Sequence, residues 1–161
     1  MAWETVPLPC ADMYAFSETV RIDRPAAEAW AMLIDFPNVP AWEDGVLEVR
    51  QTSPGQPGLG TTFIARKVFG RRETLIDCRI TAWEADRLVT MELIGGMVRR
   101  ASVTYEVEPI DDTACQITYT TDGEMRSLLA WTTPLIPAMG RRLIRSNLAT
   151  LERLLKEAVA P

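Results

Sequence analysis

Apolar and polar positions alternate in short runs through the middle of the chain and recur at helical spacing toward both ends. From Tyr14 to Ile22, Phe16, Val20 and Ile22 fall on one face and Ser17, Thr19 and Arg21 on the other, the period of a half-buried strand. Glu18 lies on the apolar side. Asp23 and Pro25 suit a helix start, and Ala26, Trp30, Leu33 and Ile34 repeat at helical spacing, which predicts about three turns. The stretch from Phe36 to Gly45 carries Pro37 and Pro40 and leaves room only for a short helix or a structured loop.

Between Gly45 and Gly123 the pattern changes to alternating runs parted by turn residues, the mark of an antiparallel meander. Six strands are expected: Val46 to Thr52, Thr61 to Phe69, Arg72 to Trp83, Leu88 to Ile94, Arg99 to Glu108 and Cys115 to Gly123. A four-residue loop from Glu84 to Arg87 sets Ala82 opposite Val89, Ile80 opposite Met91 and Cys78 opposite Leu93 on one face, with Arg79 meeting Glu92 on the other. A loop at Gly95, Gly96 and Met97 then sets Met91 opposite Ala101, Val89 opposite Val103 and Leu93 opposite Arg99. The inner rows become Arg99, Ala101, Val103, Tyr105 and Val107 in the sixth strand, and Cys115, Ile117, Tyr119 and Thr121 in the seventh. A two-residue turn at Gly95-Gly96 inverts the sixth strand, so Arg99 is the least secure of these positions.

Toward the C-terminus Trp131, Pro134 and Pro137 interrupt any single helix running from Met125, so a short piece, a break and a long amphipathic helix to about Ala158 are expected. With Leu143 at zero degrees, Ile144, Leu148, Leu151, Leu154, Leu155 and Ala158 share one arc of about 140°. Gly140 and Asn147 also face that arc. Glycine there allows close approach or leaves space, and Asn147 aims an amide inward.

Composition narrows the chemistry. The chain has 161 residues, 17 Lys and Arg against 22 Asp and Glu, and no histidine. That removes histidine-based triads, imidazole metal ligands and imidazole general bases, leaving carboxylates, phenols, guanidinium groups, thiols and amides. No metal or cofactor is expected. The net charge of −5 disfavours a phosphate backbone as partner, so no nucleic acid is expected. Cys10, Cys78 and Cys115 form no close pair and read as free thiols of a reducing, cytoplasmic setting. The N-terminal residues lack the basic start and apolar run of a secretion signal, and Leu128 to Met139 falls well short of the roughly 20 apolar residues that span a membrane. One domain over residues 1–161 is expected, with 1–13 as an N-terminal extension.

Five stretches carry a family resemblance: VRIDRPAAEAWAMLIDFPNVPAW, GLGTTFIARKVFGRRE, ITAWEADRLVTMEL, TYEVEPIDDTACQITYT and NLATLERLL. With Ile22, Pro25, Trp30, Asp35, Pro40 and Trp42 at the recurring positions, the chain resembles the SRPBCC superfamily, and most closely its polyketide cyclase/dehydrase branch, related to START lipid-binding and pollen-allergen proteins. The resemblance spans roughly Tyr14 to Val159. It implies an α+β helix-grip fold: a seven-stranded curved antiparallel sheet wrapped around a long C-terminal helix, with two short helices between the first two strands. It also implies an elongated cavity between sheet and helix for a lipid, sterol, polyketide or other aromatic ligand. Such a superfamily houses many activities, so the resemblance is more specific for fold than for function.

The inner rows then become candidate cavity lining: Phe16, Trp42, Phe63, Ile76, Met91, Val103, Tyr105, Ile117, Thr121, Met139, Leu143 and Asn147. For catalysis the candidates are Glu18 as proton carrier, Arg99 as enolate or carboxylate partner and Tyr119 as phenol donor. Each has a plainer reading: Glu18 solvated or paired with a base, Arg99 on the surface, Tyr105 and Tyr119 as core packing, Trp42 as structural support, Asn147 bonded within the core. Arg66 and Lys67 occupy opposite faces of the third strand, and the turn at Gly70 leaves open which one faces inward. The apolar group Trp131, Leu135, Ile136 and Met139 suits a cavity lid, a homodimer contact or ordinary core. Three functions remain in order of preference: a binder of a small hydrophobic molecule, a polyketide aromatase/cyclase, and an interaction protein using that patch.

Overall fold

The computed structural model describes residues 12–159. Cys10 and all but the last two residues of the expected extension lie outside the described residues. The strands are β1 (Met13–Ile22), β2 (Val46–Gln51), β3 (Thr62–Phe69), β4 (Arg72–Glu84), β5 (Leu88–Gly95), β6 (Val98–Pro109) and β7 (Cys115–Met125). They form one antiparallel sheet in the order β1-β7-β6-β5-β4-β3-β2. Hairpins join β2 through β7, while β1 pairs with β7 at the far edge, from Met13 opposite Glu124 to Ile22 opposite Cys115. The link from β1 back to β2 must therefore cross the sheet. It does so through α1 (Ala26–Leu33) and a 3₁₀ helix, Phe36–Ala41, whose two prolines deny it a longer regular run.

After β7 a second 3₁₀ helix, Ser127–Leu135, leads into α2 (Ile136–Val159). The expected break is thus a change of helix type at Pro134. α2 packs along β1, and the curved sheet wraps it. Its buried residues are Ile144, Asn147, Leu148, Leu151 and Leu155. The centre of that stripe lies about 100° around the helix from Leu143 at ideal pitch. Leu143, at one end of the expected arc, and Met139, expected only as cavity lining, lie at or beyond the edge of that stripe, 44% and 68% exposed.

Inner-face parity follows the alternation except after Ile80 and at Arg99, and four of the expected pairings differ. Ile80 faces Met91 and Cys78 faces Leu93 as expected, whereas a bulge after Ile80 moves Ala82 opposite Thr90 and Trp83 opposite Val89. In the next hairpin Met91 faces Val103, Val89 faces Tyr105 and Leu93 faces Ala101, a shift of two residues from the expected pairing. A two-residue shift preserves the face, so the inner row from Ala101 to Val107 stands. Arg99 does not belong to it. Arg99 is the extra residue of a bulge between Val98 and Arg100, and both arginines are exposed.

The core joins two tiers. Trp30 of α1 packs edge-on against Trp83 of β4 at 5.3 Å. Ile22, Ile80, Ile117, Leu148 and Leu151 are fully enclosed.

Candidate functional site

Between the sheet and the N-terminal half of α2, which meets β1 at Gly140, lies a cavity of about 290 Å³. This is near the lower end of the range for small-molecule sites, roughly 300–1,000 Å³. Its floor comes from the inner rows of all seven strands, and its walls from Leu33, Phe36, Val39, Trp42 and Glu43 on one side and Ile136, Gly140 and Leu143 on the other. Gly140 sits against Phe16: a Cβ at that position would lie 2.3 Å from the ring Cζ. Absence of a side chain at Gly140 is what lets the helix meet the ring.

Aromatic rings continue from Phe16 across the floor. Phe16 and Tyr119 have centroids 5.8 Å apart, Tyr119 and Tyr105 are edge-on at 5.1 Å, and Tyr105 and Trp42 are edge-on at 6.1 Å. Tyr105 and Tyr119 are directly opposed across β6 and β7. Burial pushes the phenols of Tyr14, Tyr105 and Tyr119 up, and the Glu43 charge adds to this at Tyr105 and Tyr119. They are neutral hydroxyl groups at physiological pH.

One ion pair faces this apolar space. Lys67 Nζ donates to Glu43 Oε1 at 2.7 Å, and each side chain is 20% exposed. Burial alone would depress the Lys67 ammonium, but adjacent Glu43 outweighs it and holds the group above its ordinary value. The loop carrying Glu43 is tied from both sides. Gly45, with φ +80°, accepts from the Val68 N–H at 2.8 Å, one residue past Lys67. From α2, Asn147 Oδ1 accepts from the Asp44 N–H at 3.1 Å. Burial also pushes the Cys78 thiol, in the same lining, up to about 11. The buried Trp42 indole lines the cavity too, and its Nε1 has no hydrogen-bond partner among the described residues.

Of the residues expected from the alternation, Phe16, Trp42, Phe63, Ile76, Met91, Val103, Tyr105, Tyr119, Thr121 and Leu143 line the cavity. Thr121 is oriented by donating to the Ser102 carbonyl at 2.8 Å. Five expected residues lie elsewhere. Ile117 is enclosed core, and Met139 points outward. Asn147 is spent on the Asp44 loop. Glu18, whose side chain is 11% exposed, is paired with Arg145 of α2 and is not in the lining. Arg99 reaches Ser127 Oγ at 3.1 Å and Glu124 at 3.6 Å, outside the cavity.

Glu43 is what sequence reasoning missed, and Lys67 is the one of its two open alternatives that faces the cavity. Lys67 shares the parity of Phe63 and Ala65, a signal strong enough to place it inside. Arg66 takes the opposite face, between Glu48 and Glu73. Glu43 carries no periodic signal, because it sits in an irregular loop whose position depends on contacts with β3 and α2.

Among known folds, the chain superposes on the Zhui aromatase/cyclase of a Streptomyces species with a TM-score of 0.78 and 16% identity, covering 92% of this chain and 96% of that one. A START superfamily protein from Mycobacterium smegmatis gives 0.69 at 15% identity, over 91% and 97% of the two chains. Norcoclaurine synthase from Thalictrum flavum, in complex with dopamine and hydroxybenzaldehyde, gives 0.66 at 17%, over 92% and 90%. At such identities the likeness is one of fold. No curated protein sequence matches the chain. The family described as polyketide cyclase/dehydrase and lipid transport matches residues 13–156, and with the helix-grip architecture around the cavity this chain belongs to that family.

Proposed function

We propose that this protein binds a small, predominantly apolar organic molecule, aromatic or lipid-like, between the sheet and α2. The observation that carries this is the cavity of about 290 Å³, lined by aromatic and aliphatic side chains with a single ion pair at one wall. Apolar surface left unfilled by the fold is surface that a ligand removes from water. The free thiols of Cys78 and Cys115 fit the reducing, cytoplasmic setting in which we place this binding. Native mass spectrometry and solvent extraction of the purified protein test it, followed by thermal shift with a series of naphthalene-sized aromatics and medium-chain lipids. A bound organic species, or a ligand that raises the melting temperature, is the expected result. A protein that binds none of them and carries nothing from the cell overturns the reading.

A second reading, an aromatase/cyclase acting on a polyketide-like chain, draws on the placement of Tyr119 among the cavity residues and on the fold shared with an aromatase/cyclase. Here Tyr119 donates to a substrate oxygen while the walls hold a folded chain. Glu18 and Arg99 have no such access. A Tyr119→Phe variant that leaves both the rate and product distribution of a cyclisation unchanged excludes the role. The third reading, a possible homodimer or other protein contact, draws on Leu128, Trp131, Leu135 and Met139, all more than half exposed and close in sequence.

A further inference from the structure

We infer that the cavity selects an uncharged ligand with one carbonyl or hydroxyl oxygen on an otherwise apolar body, anchors that oxygen at Lys67, and disfavours carboxylates. The inference rests on the ligand-binding reading above and adds the ligand's charge and its point of attachment.

Donors outnumber acceptors at this wall. The Lys67 ammonium carries three N–H groups, and among the described residues its one hydrogen bond goes to Glu43 at 2.7 Å. Its unused donors belong to a side chain that lines the cavity. Trp42, 4% exposed, adds an indole N–H without a partner. Tyr105 and Tyr119 stay protonated, so their hydroxyl groups can also donate. Buried donors without acceptors are costly, and a ligand that brings an acceptor relieves that cost whereas a hydrocarbon does not.

Charge sets the other half of the selection. Lys67 and Glu43 cancel one another, so the wall has donors but no net positive charge to offset an incoming anion. A carboxylate would place a second negative charge beside Glu43 in an apolar enclosure, where repulsion and desolvation act together. Glu43 already makes itself felt across the floor, since it disfavours ionisation of both Tyr105 and Tyr119. The other ionisable groups in the lining, Tyr14 and Cys78, are neutral below their raised pKa values. Neither supplies compensation for an anion.

Three naphthalenes of nearly equal shape test this: 2-acetylnaphthalene, 2-isopropylnaphthalene and 2-naphthoate, titrated calorimetrically against the full chain. The ketone should bind roughly tenfold to hundredfold more tightly than the hydrocarbon, and the carboxylate should bind more weakly than either. In Glu43→Gln the wall becomes cationic, and carboxylate affinity should rise by about tenfold or more relative to that of the ketone. The infrared carbonyl stretch of the bound ketone supplies a readout in the wild type, so no conclusion hangs on a variant that fails to fold. It should lie below its value in hexane. If ketone and hydrocarbon bind equally, or the carboxylate binds as well as the ketone, the selection is wrong while binding itself stands. If none of the three binds, this inference falls; if the protein also binds no medium-chain lipid and carries nothing from the cell, the ligand-binding reading falls with it.

Discussion

The two ends of the sheet use the same strands and the same helix for opposite purposes. Along β7, Cys115 and Ile117 are fully enclosed, whereas Tyr119, Thr121 and Met125 line the cavity. Along β6, Val107 is packed and Val103 and Tyr105 face the space; along β1, Ile22 is packed and Phe16 and Tyr14 face it. The changeover on α2 comes after Leu143, with Leu148 and Leu151 enclosed at one end and Ile136, Gly140 and Leu143 around the cavity at the other. One half of the molecule is a closed core that carries stability. The other half keeps apolar surface unfilled, and the Lys67–Glu43 pair that faces it is held in place by contacts from β3 and α2. Stability and binding are thereby separated within one sheet.

The sharpest way to break that separation is the same side-chain deletion at both ends. Leu151→Ala empties a closed site and should cost about 2–5 kcal/mol in denaturant unfolding. Leu93→Ala only enlarges an existing cavity and should cost about 1 kcal/mol, with the larger effect on ligand affinity. Equal losses would mean that the cavity end is packed as tightly as the core.

Gly140→Ala should destabilise by about 1–3 kcal/mol despite the better helix propensity of alanine, because Phe16 must yield its place. Adding Phe16→Leu should recover most of the loss, a coupling that a double-mutant cycle measures.

Alkaline titration acts mainly on the cavity end and has a smaller effect, although burial pushes the enclosed Cys115 thiol up as well. The Cys78 thiol, the three cavity phenols and Lys67 all have folded pKa values above their unfolded ones. Between the two values the folded chain holds protons that the unfolded chain releases, so their contribution is complete below pH about 9 and is lost as pH rises through the folded values. Thermal stability should fall from about pH 9 upward, and Cys78→Ala should lessen the early part of that fall.

The smallest effect belongs to the exposed patch. Leu135→Asp should change folding stability by less than about 0.5 kcal/mol. If the patch pairs two copies, sizing with light scattering should show a wild-type dimer and a monomeric variant; a monomeric wild type excludes that pairing.

Much of the fold was legible in the residues because the period of a strand is two. All seven strands appear within a residue or two of the expected ends. Inner and outer faces follow the alternation where the pairing slipped by two residues, which leaves every side chain on its own face, but not after Ile80, where a bulge turns Trp83 inward in place of Ala82. Arg99 fell outside that protection. A bulge adds one residue, and alternation gives no warning of it. Glu18 was rightly set on the inward side of β1, but whether an inward carboxylate meets a cavity or a cation depends on which part of α2 lies above it, and Arg145 does.

The sequence by itself determined the secondary elements, most of the apolar face of the sheet, part of the cavity floor, the family resemblance and, through the lack of histidine, the kinds of group available for chemistry. Tertiary structure alone decided where along α2 the packed core gives way to the cavity, the assignment of Asn147 to a supporting bond and the meeting of Lys67 with Glu43. Periodicity reports a side chain's direction relative to its own backbone. A pair drawn from a strand and an irregular loop 24 positions away exists only once both have been packed against a third element.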